Sequence, residues 1–294
     1  LPVTSGGQAG ALVGERDLYV KAKTGLVIAS GKPKNGRKLA ERRPMLPLDH
    51  LPFPTGDLDA LGQAFETLGF VVSPRGAYTS PETPDASWTN RGVFMRKGWF
   101  DLLHSPEALA AAPVSPRAGL FLTDDLDAAA ASLDGFRTRP SYRLERRWKH
   151  DLGLPSEVFA LFDIRERISP LGLAVIQHHY PCHDTLAAWF DHPNTAEEVA
   201  GLIFGSAEPG PMAERAGCHI DISGFRYWGD EKFRALFGVC TPQVALRIRV
   251  GSLTKARAAF DVAGVAFLET TEGLHVTPPS PLACGFQFFQ RRPA

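Results

Sequence analysis

From Met45 onward the apolar positions follow two alternating rhythms. In "LDHLPFP" (48–54) every second residue shares a face, which predicts a strand with Leu51 and Phe53 on one side and His50 on the other. After the turn "TGD", the segment "LDALGQAFETLGF" places Leu58, Leu61, Phe65 and Leu68 at spacings of three and four, which predicts a helix with Asp57 as its N-cap and Gly69 at its end. Strands follow in "FVVSP" and "NRGVFMRKGWFDLL", so the unit reads strand, helix, several strands. A second copy starts in "AGLFLTDDLDAAAASLDGF", where Asp125, Leu126, Asp127 and Ala128 echo Asp57, Leu58, Asp59 and Ala60, and it ends in "VFALFDIRERISPLGLAVIQHHYP". Two weaker copies begin at "VAGLIFGSAEPGPMAERAG" and run through "QVALRIRVGSLTKARAAFDVAGVAFLETTEGLHVTPPSPLACGFQFF". Repetition on this scale predicts four stacked units.

Composition narrows the partners. The 294 residues are 44% hydrophobic, enough for a large core, and 32 Lys plus Arg balance 32 Asp plus Glu. The field therefore offers nothing for nucleic acid or an anionic membrane, and a small-molecule substrate or ligand is the expected partner. Cys182, Cys218, Cys240 and Cys284 are isolated and read as free thiols, which points to the cytoplasm. No apolar run is long enough for a membrane span, and residues 1–20 lack the order of a secretory signal. Residues 1–44, with clustered glycines and the basic run "GKPKNGRKLAERRP", form an extension of uncertain status. Phosphate-loop, zinc-peptidase, serine-hydrolase and dinucleotide signatures are absent.

Several segments together resemble the vicinal oxygen chelate superfamily, in its glyoxalase-like branch that includes glyoxalase, bleomycin resistance and extradiol dioxygenase types. They are "LDHLPFPTGDLDALGQAFETLGFVVSPRG", "TNRGVFM" with "GWFDLL", "IQHH", and "HPNTAEEVAGL" with "VTPPSPLACGF". The resemblance implies an α+β fold of repeated βαβββ modules, forming open cup-shaped mixed sheets with helices outside. It implies two paired-module halves, 45–182 and 183–294, in a monomer or homodimer. It also implies a divalent metal ion (Zn, Ni, Fe or Mn) held by His, Gln and Glu side chains from the first and last strands.

Strand alternation gives candidate side chains for such a cup. His50 points inward if the helix covers Leu51 and Phe53, and in "KGWFDLL" Asp101 shares a face with Trp99 and Leu103. Asp101 then stands where the family often has a metal-binding glutamate. Aligning "LAVIQHHYP" with "GWFDLL" puts Gln177 in the place of Asp101, with His179 on the same face and His178 opposite. The resemblance instead draws attention to the adjacent Gln177 and His178, and one bulge would exchange the two histidines. The implied metal set is His50, Asp101, Gln177 and His178, with His178 or His179 as general base. The position matching His50 in the second unit is Ala118, so one ligand the family often uses is missing.

In "VALRIRVGS", Arg247 and Arg249 share a face and could clamp a carboxylate or phosphate, while Asn90 and Arg91 match a family segment near the cup. Each candidate has a plainer alternative: His50 as a hydrogen-bonded core residue, Asp101 as a solvated strand residue, and the arginines as an ion-paired surface. His192 is expected in a turn, with Asn194 or Thr195 capping a following helix. Two functions stay open. One is a metal-dependent lyase, isomerase or dioxygenase. The other is a binding or sequestration protein whose metal-free cup is lined by aromatic residues such as Trp88, Phe94 and Trp99.

Overall fold

A computed structural model describes residues 45–79, 88–104, 112–133, 135–148, 157–179 and 187–291. The extension 1–44 and Cys182 lie outside the described residues.

The first two units follow the predicted order. Strand β1 (Leu48–Thr55) leads into helix α1 (Leu58–Thr67), then β2 (Gly76–Thr79), β3 (Thr89–Phe94) and β4 (Trp99–His104). The second unit repeats this as β5 (Ala118–Leu122), α2 (Leu126–Ser132), β6 (Tyr142–Trp148), β7 (Glu157–Ile168) and β8 (Leu171–His178). The repeat extends to its caps. Asp57 accepts from Ala60 N and Asp125 from Ala128 N, each at 2.9 Å, while Thr55 and Thr123 hydroxyls accept from the two Asp backbones at 3.0 and 3.1 Å. Such a cap satisfies a helix N–H that otherwise has no partner, worth about 1 kcal/mol each.

The eight strands close on themselves in the order β1-β4-β3-β2-β6-β7-β8-β5. The resemblance implies cup-shaped mixed sheets, and here β2 and β6 pair from Gly76 opposite Trp148 to Thr79 opposite Glu145, which closes the first cup into a barrel. Closure removes both sheet edges, which would otherwise expose unpaired backbone groups.

The third and fourth units build a separate six-stranded sheet. Its strands are β9 (Ala196–Phe204), β10 (Arg226–Tyr227), β11 (Val244–Val250), β12 (Phe267–Thr270), β13 (Gly273–Val276) and β14 (Gly285–Phe289), in the order β10-β9-β11-β14-β13-β12. Helix α5 (Leu253–Ala263) gives the last unit a full βαβββ order. The third unit has α3 (Pro211–Ala216) and α4 (Asp230–Phe237) around a two-residue β10, so this sheet stays open.

One apolar core joins barrel and sheet. Leu51, Phe53, Phe65 and Phe100 from the first unit cluster with Leu246, Ile248, Phe286 and Phe288. The outer face of the barrel near α1 is thereby buried against the second sheet. His192 helps to pin this seam. Its Nδ1 accepts from Val71 N at 2.9 Å and its Nε2 donates to Phe94 O at 2.8 Å, so burial holds the ring neutral with a depressed pKa. The segment after it is strand β9, not a helix. Asn194 serves that strand by accepting from Ala196 N and donating to Leu68 O.

Candidate functional site

The barrel interior holds a cavity of about 410 Å³. Aliphatic side chains from several strands line it, among them Leu103, Leu120, Leu144, Leu161 and Ile176, with Ala118 and Ala174 leaving room between them. Tyr78, Trp88, Trp99, Tyr142 and Phe159 supply aromatic surface. Polar groups enter from His50, Asp101, Arg146 and His178. A mostly apolar chamber with a few convergent polar groups is the usual form of a small-molecule site.

At one wall two histidines converge on a carboxylate. Asp49 Oδ2 accepts from His50 Nδ1 at 2.6 Å, His178 Nε2 at 3.1 Å and Trp99 Nε1 at 3.3 Å. Simple alternation would turn Asp49 away from His50, but the β1–β5 register shifts between Leu48 and His50. An irregularity of this kind re-aims a side chain. Burial alone would raise the Asp49 pKa. The hydrogen bonds and charges of His178 and His50 outweigh it and hold the carboxyl far below its ordinary range. His50 is 5% exposed and stacks on Trp99 with ring centroids 4.3 Å apart.

A second polar cluster lies beside the first. Asp101 Oδ1 accepts from Asn90 Nδ2 at 2.6 Å, and Asp101 Oδ2 accepts from the Tyr78 hydroxyl at 3.2 Å. Burial first, and the Asp101 charge second, push the Tyr78 phenol well above its ordinary pKa, so it stays protonated and donates. Arg146 on β6 faces Glu157 on β7 in direct register and ion-pairs with it. The Arg146 guanidinium also lies 5.1 Å from the Trp99 ring centroid. Trp99 is thus the partner that both clusters share.

Several sequence expectations need correction. On β8, Ala174, Ile176 and His178 line the cavity while Leu173 and Val175 join the outer core. Gln177 therefore points out of the barrel, where its Nε2 donates to Asp124 O at 2.6 Å, on the opposite side of the wall from His50. His179 is exposed at the strand end, and its backbone N–H donates to Val158 O. On β3, Asn90 turns inward but is buried behind Asp101. Arg91 turns outward, donates from Nε to Ser73 O and pairs with Glu66 at 3.0 Å. A side chain at Gly62 of α1 would meet this guanidinium first and displace it. Phe94 packs behind Trp99, with centroids 5.2 Å apart, and does not line the chamber.

Arg247 and Arg249 share a face as alternation predicts, but that face belongs to the second sheet. Arg249 is bound to Glu197 and Glu198, each at 2.6 Å. Arg247 lines a separate polar cleft of about 290 Å³ with Arg226 and Lys97. It donates to Gln287 Oε1 and Gly224 O there.

The sequence pattern does not single out Asp49, Tyr78, Arg146 or Glu157. Alternation in "YRLERRW" carries a usable signal, because Arg146 falls in the same row as Tyr142 and Leu144.

The donor set does not fit the implied metal. Among the described residues no group of three or more His, Cys, Asp or Glu side chains could hold an ion. The bonds of His50 and His178 to Asp49 do not by themselves bar ligation, but Asp101 already accepts from Asn90 and Tyr78, and Gln177 faces away.

Comparison with protein-family models finds no match, and neither does comparison with curated proteins. Among solved structures, a mutant of 4-hydroxymandelate synthase from Streptomyces coelicolor is similar at 12% identity and a TM-score of 0.41, covering 86% of this chain and 94% of that one. Streptomyces coelicolor methylmalonyl-CoA epimerase is similar at 16% identity and a TM-score of 0.32, over 47% of this chain and all (100%) of that one. A xylose isomerase-like TIM barrel/4-hydroxyphenylpyruvate dioxygenase fusion protein is similar at 11% identity and a TM-score of 0.45, over 85% of this chain and 50% of its own. Among the described residues no helix is long and apolar enough to cross a membrane.

Proposed function

We propose that the barrel is a receptor for one small aromatic molecule, held by stacking and hydrogen bonds without a resident metal. The observation behind this reading is the cavity of about 410 Å³, whose aliphatic and aromatic walls meet the polar groups of His50, Asp101 and Arg146 on one side. A mono- or bicyclic ring fits within such a volume with space to spare, since a cavity of about 150 Å³ already accepts benzene. The resemblance to vicinal oxygen chelate proteins would add lyase, isomerase or dioxygenase chemistry at a divalent metal. Among the described residues no group of three or more His, Cys, Asp or Glu side chains is arranged to hold that ion.

The test uses 1-naphthol, 4-nitrophenol and catechol as probes, followed by tryptophan fluorescence and by the melting temperature. Trp99 lines the chamber, so a bound ring should quench it. A ligand at a hundred times its Kd should stabilise the fold by about 2.7 kcal/mol. The variant Ala174→Phe, which places a ring inside the chamber, should lose binding while remaining folded. Undiminished one-to-one binding by that variant would move the site elsewhere.

A companion experiment addresses the metal directly. Elemental analysis after incubation with Zn, Ni, Fe and Mn, on protein prepared without a metal-affinity tag, should find no stoichiometric ion. About one metal per chain, lost in His50→Ala, would overturn the metal-free reading and restore the metal-dependent one.

A further inference from the structure

We propose that Asp49 and His50 form a proton-transfer dyad at the cavity wall, in which His50 is the general base and Asp49 a positioning residue. This rests on the cavity being a ligand site and goes beyond binding. Asp49 is a carboxylate and can only accept, so the 2.6 Å contact requires the proton of neutral His50 to sit on Nδ1. The lone pair is then on Nε2. His50 lines the cavity, and its Nε2 has no hydrogen-bond partner among the described residues.

Two contacts fix the ring, and a third ties its two partners together. Asp49 holds one edge, the Trp99 ring stacks on a face, and Trp99 Nε1 binds the same carboxylate oxygen. A base that is oriented in this way and desolvated by apolar walls is arranged to take a proton from a bound carbon or oxygen acid. The ligand's X–H bond breaks, its electron pair stays on the ligand as an enolate or phenolate, and the proton forms the Nε2–H bond of an imidazolium that Asp49 stabilises. Return of the proton to the same or a neighbouring atom completes an isomerisation or exchange, with no oxidant or co-reactant.

The reaction class can be tested without knowing the natural ligand. The probe 5-nitrobenzisoxazole is a flat bicyclic molecule that reports a positioned base. Loss of its ring C–H proton to Nε2 turns the C–H pair into the third bond of a nitrile. The N–O bond breaks, the oxygen leaves as a coloured phenolate, and the imidazolium then releases its proton to buffer. The full chain should accelerate this reaction by about 10²–10⁴-fold over its own His50→Gln variant, the usual contribution of a general base. Asp49→Asn should lower kcat with KM nearly unchanged, and Asp49→Glu should recover part of the loss.

Binding is followed separately with 6-nitrobenzotriazole, an unreactive molecule of similar shape. Retained binding in His50→Gln with loss of rate supports the dyad. Binding with no acceleration by the wild type, or an unchanged rate in His50→Gln, overturns the dyad and leaves the receptor reading intact. Absence of both binding and acceleration sinks the receptor reading and the dyad with it. Should a variant fail to fold, nitrogen-15 NMR of the wild-type imidazole decides instead. A proton found on Nε2 of neutral His50, and not on Nδ1, is incompatible with the proposal.

Discussion

Replacing Arg146 by methionine is expected to destabilise the protein by about 3–5 kcal/mol, the range for breaking a buried ion pair from one side. Arg146 is 1% exposed and Glu157 3%, so neither charge is shared with bulk water. Arg146 Nε donates to Glu157 Oε2 at 2.5 Å, and a second guanidinium nitrogen binds the same oxygen. Removing the cation leaves the Glu157 carboxylate in a low-dielectric wall without that partner, and desolvation then outweighs the lost contact itself. The guanidinium also lies 5.8 and 6.0 Å from the Phe94 and Tyr78 ring centroids, so the substitution removes attraction to three aromatic rings including Trp99. Urea unfolding measures the loss directly. The double variant Arg146→Met, Glu157→Leu should regain most of it, because neither member of the pair is then left buried without the other. A single-variant loss under about 1 kcal/mol would show that water or another group takes over the pairing.

Phe65→Ala is the second large effect, expected to cost about 3–5 kcal/mol. Phe65 is fully buried at the point where barrel, helix and second sheet meet. Its ring centroid lies 5.4 Å from Phe53, 5.5 Å from Phe100 and 6.0 Å from Phe286. These rings belong to β1, β4 and β14, so truncation opens a cavity that no single element can collapse to fill. The cost should therefore fall at the high end of the range, since a site walled by several elements relaxes least. Because one core spans both parts, unfolding should remain a single transition, seen together by circular dichroism and by tryptophan fluorescence. Two separated transitions in the wild type would refute the shared core, and a loss below about 1.5 kcal/mol would show that the seam repacks.

The local chemistry of the chain determined much of the fold. Asp57 and Asp125 announce two helix starts because a short acidic side chain can reach back to free N–H groups, and both do so with matching geometry. Period-two alternation placed His50 opposite Leu51 and Phe53, put Asp101 with Trp99 and Leu103, and separated Arg247 and Arg249 from the core row.

What alternation could not decide was which face is inside when both faces are apolar. On β8, Leu173 and Val175 pack outward while Ala174 and Ile176 line an apolar chamber, so the row holding His178 and the row holding Gln177 look equally buried in sequence. Only the barrel's closure, set by β2 pairing with β6 far along the chain, assigns His178 to the interior. The local shift of register between Leu48 and His50 likewise brings the Asp49 carboxylate to both histidines, and no pattern of residue types encodes it. Periodicity is a property of one strand. Which side of that strand encloses the chamber depends on pairings between distant strands, and this is why tertiary structure decided which side chains line it.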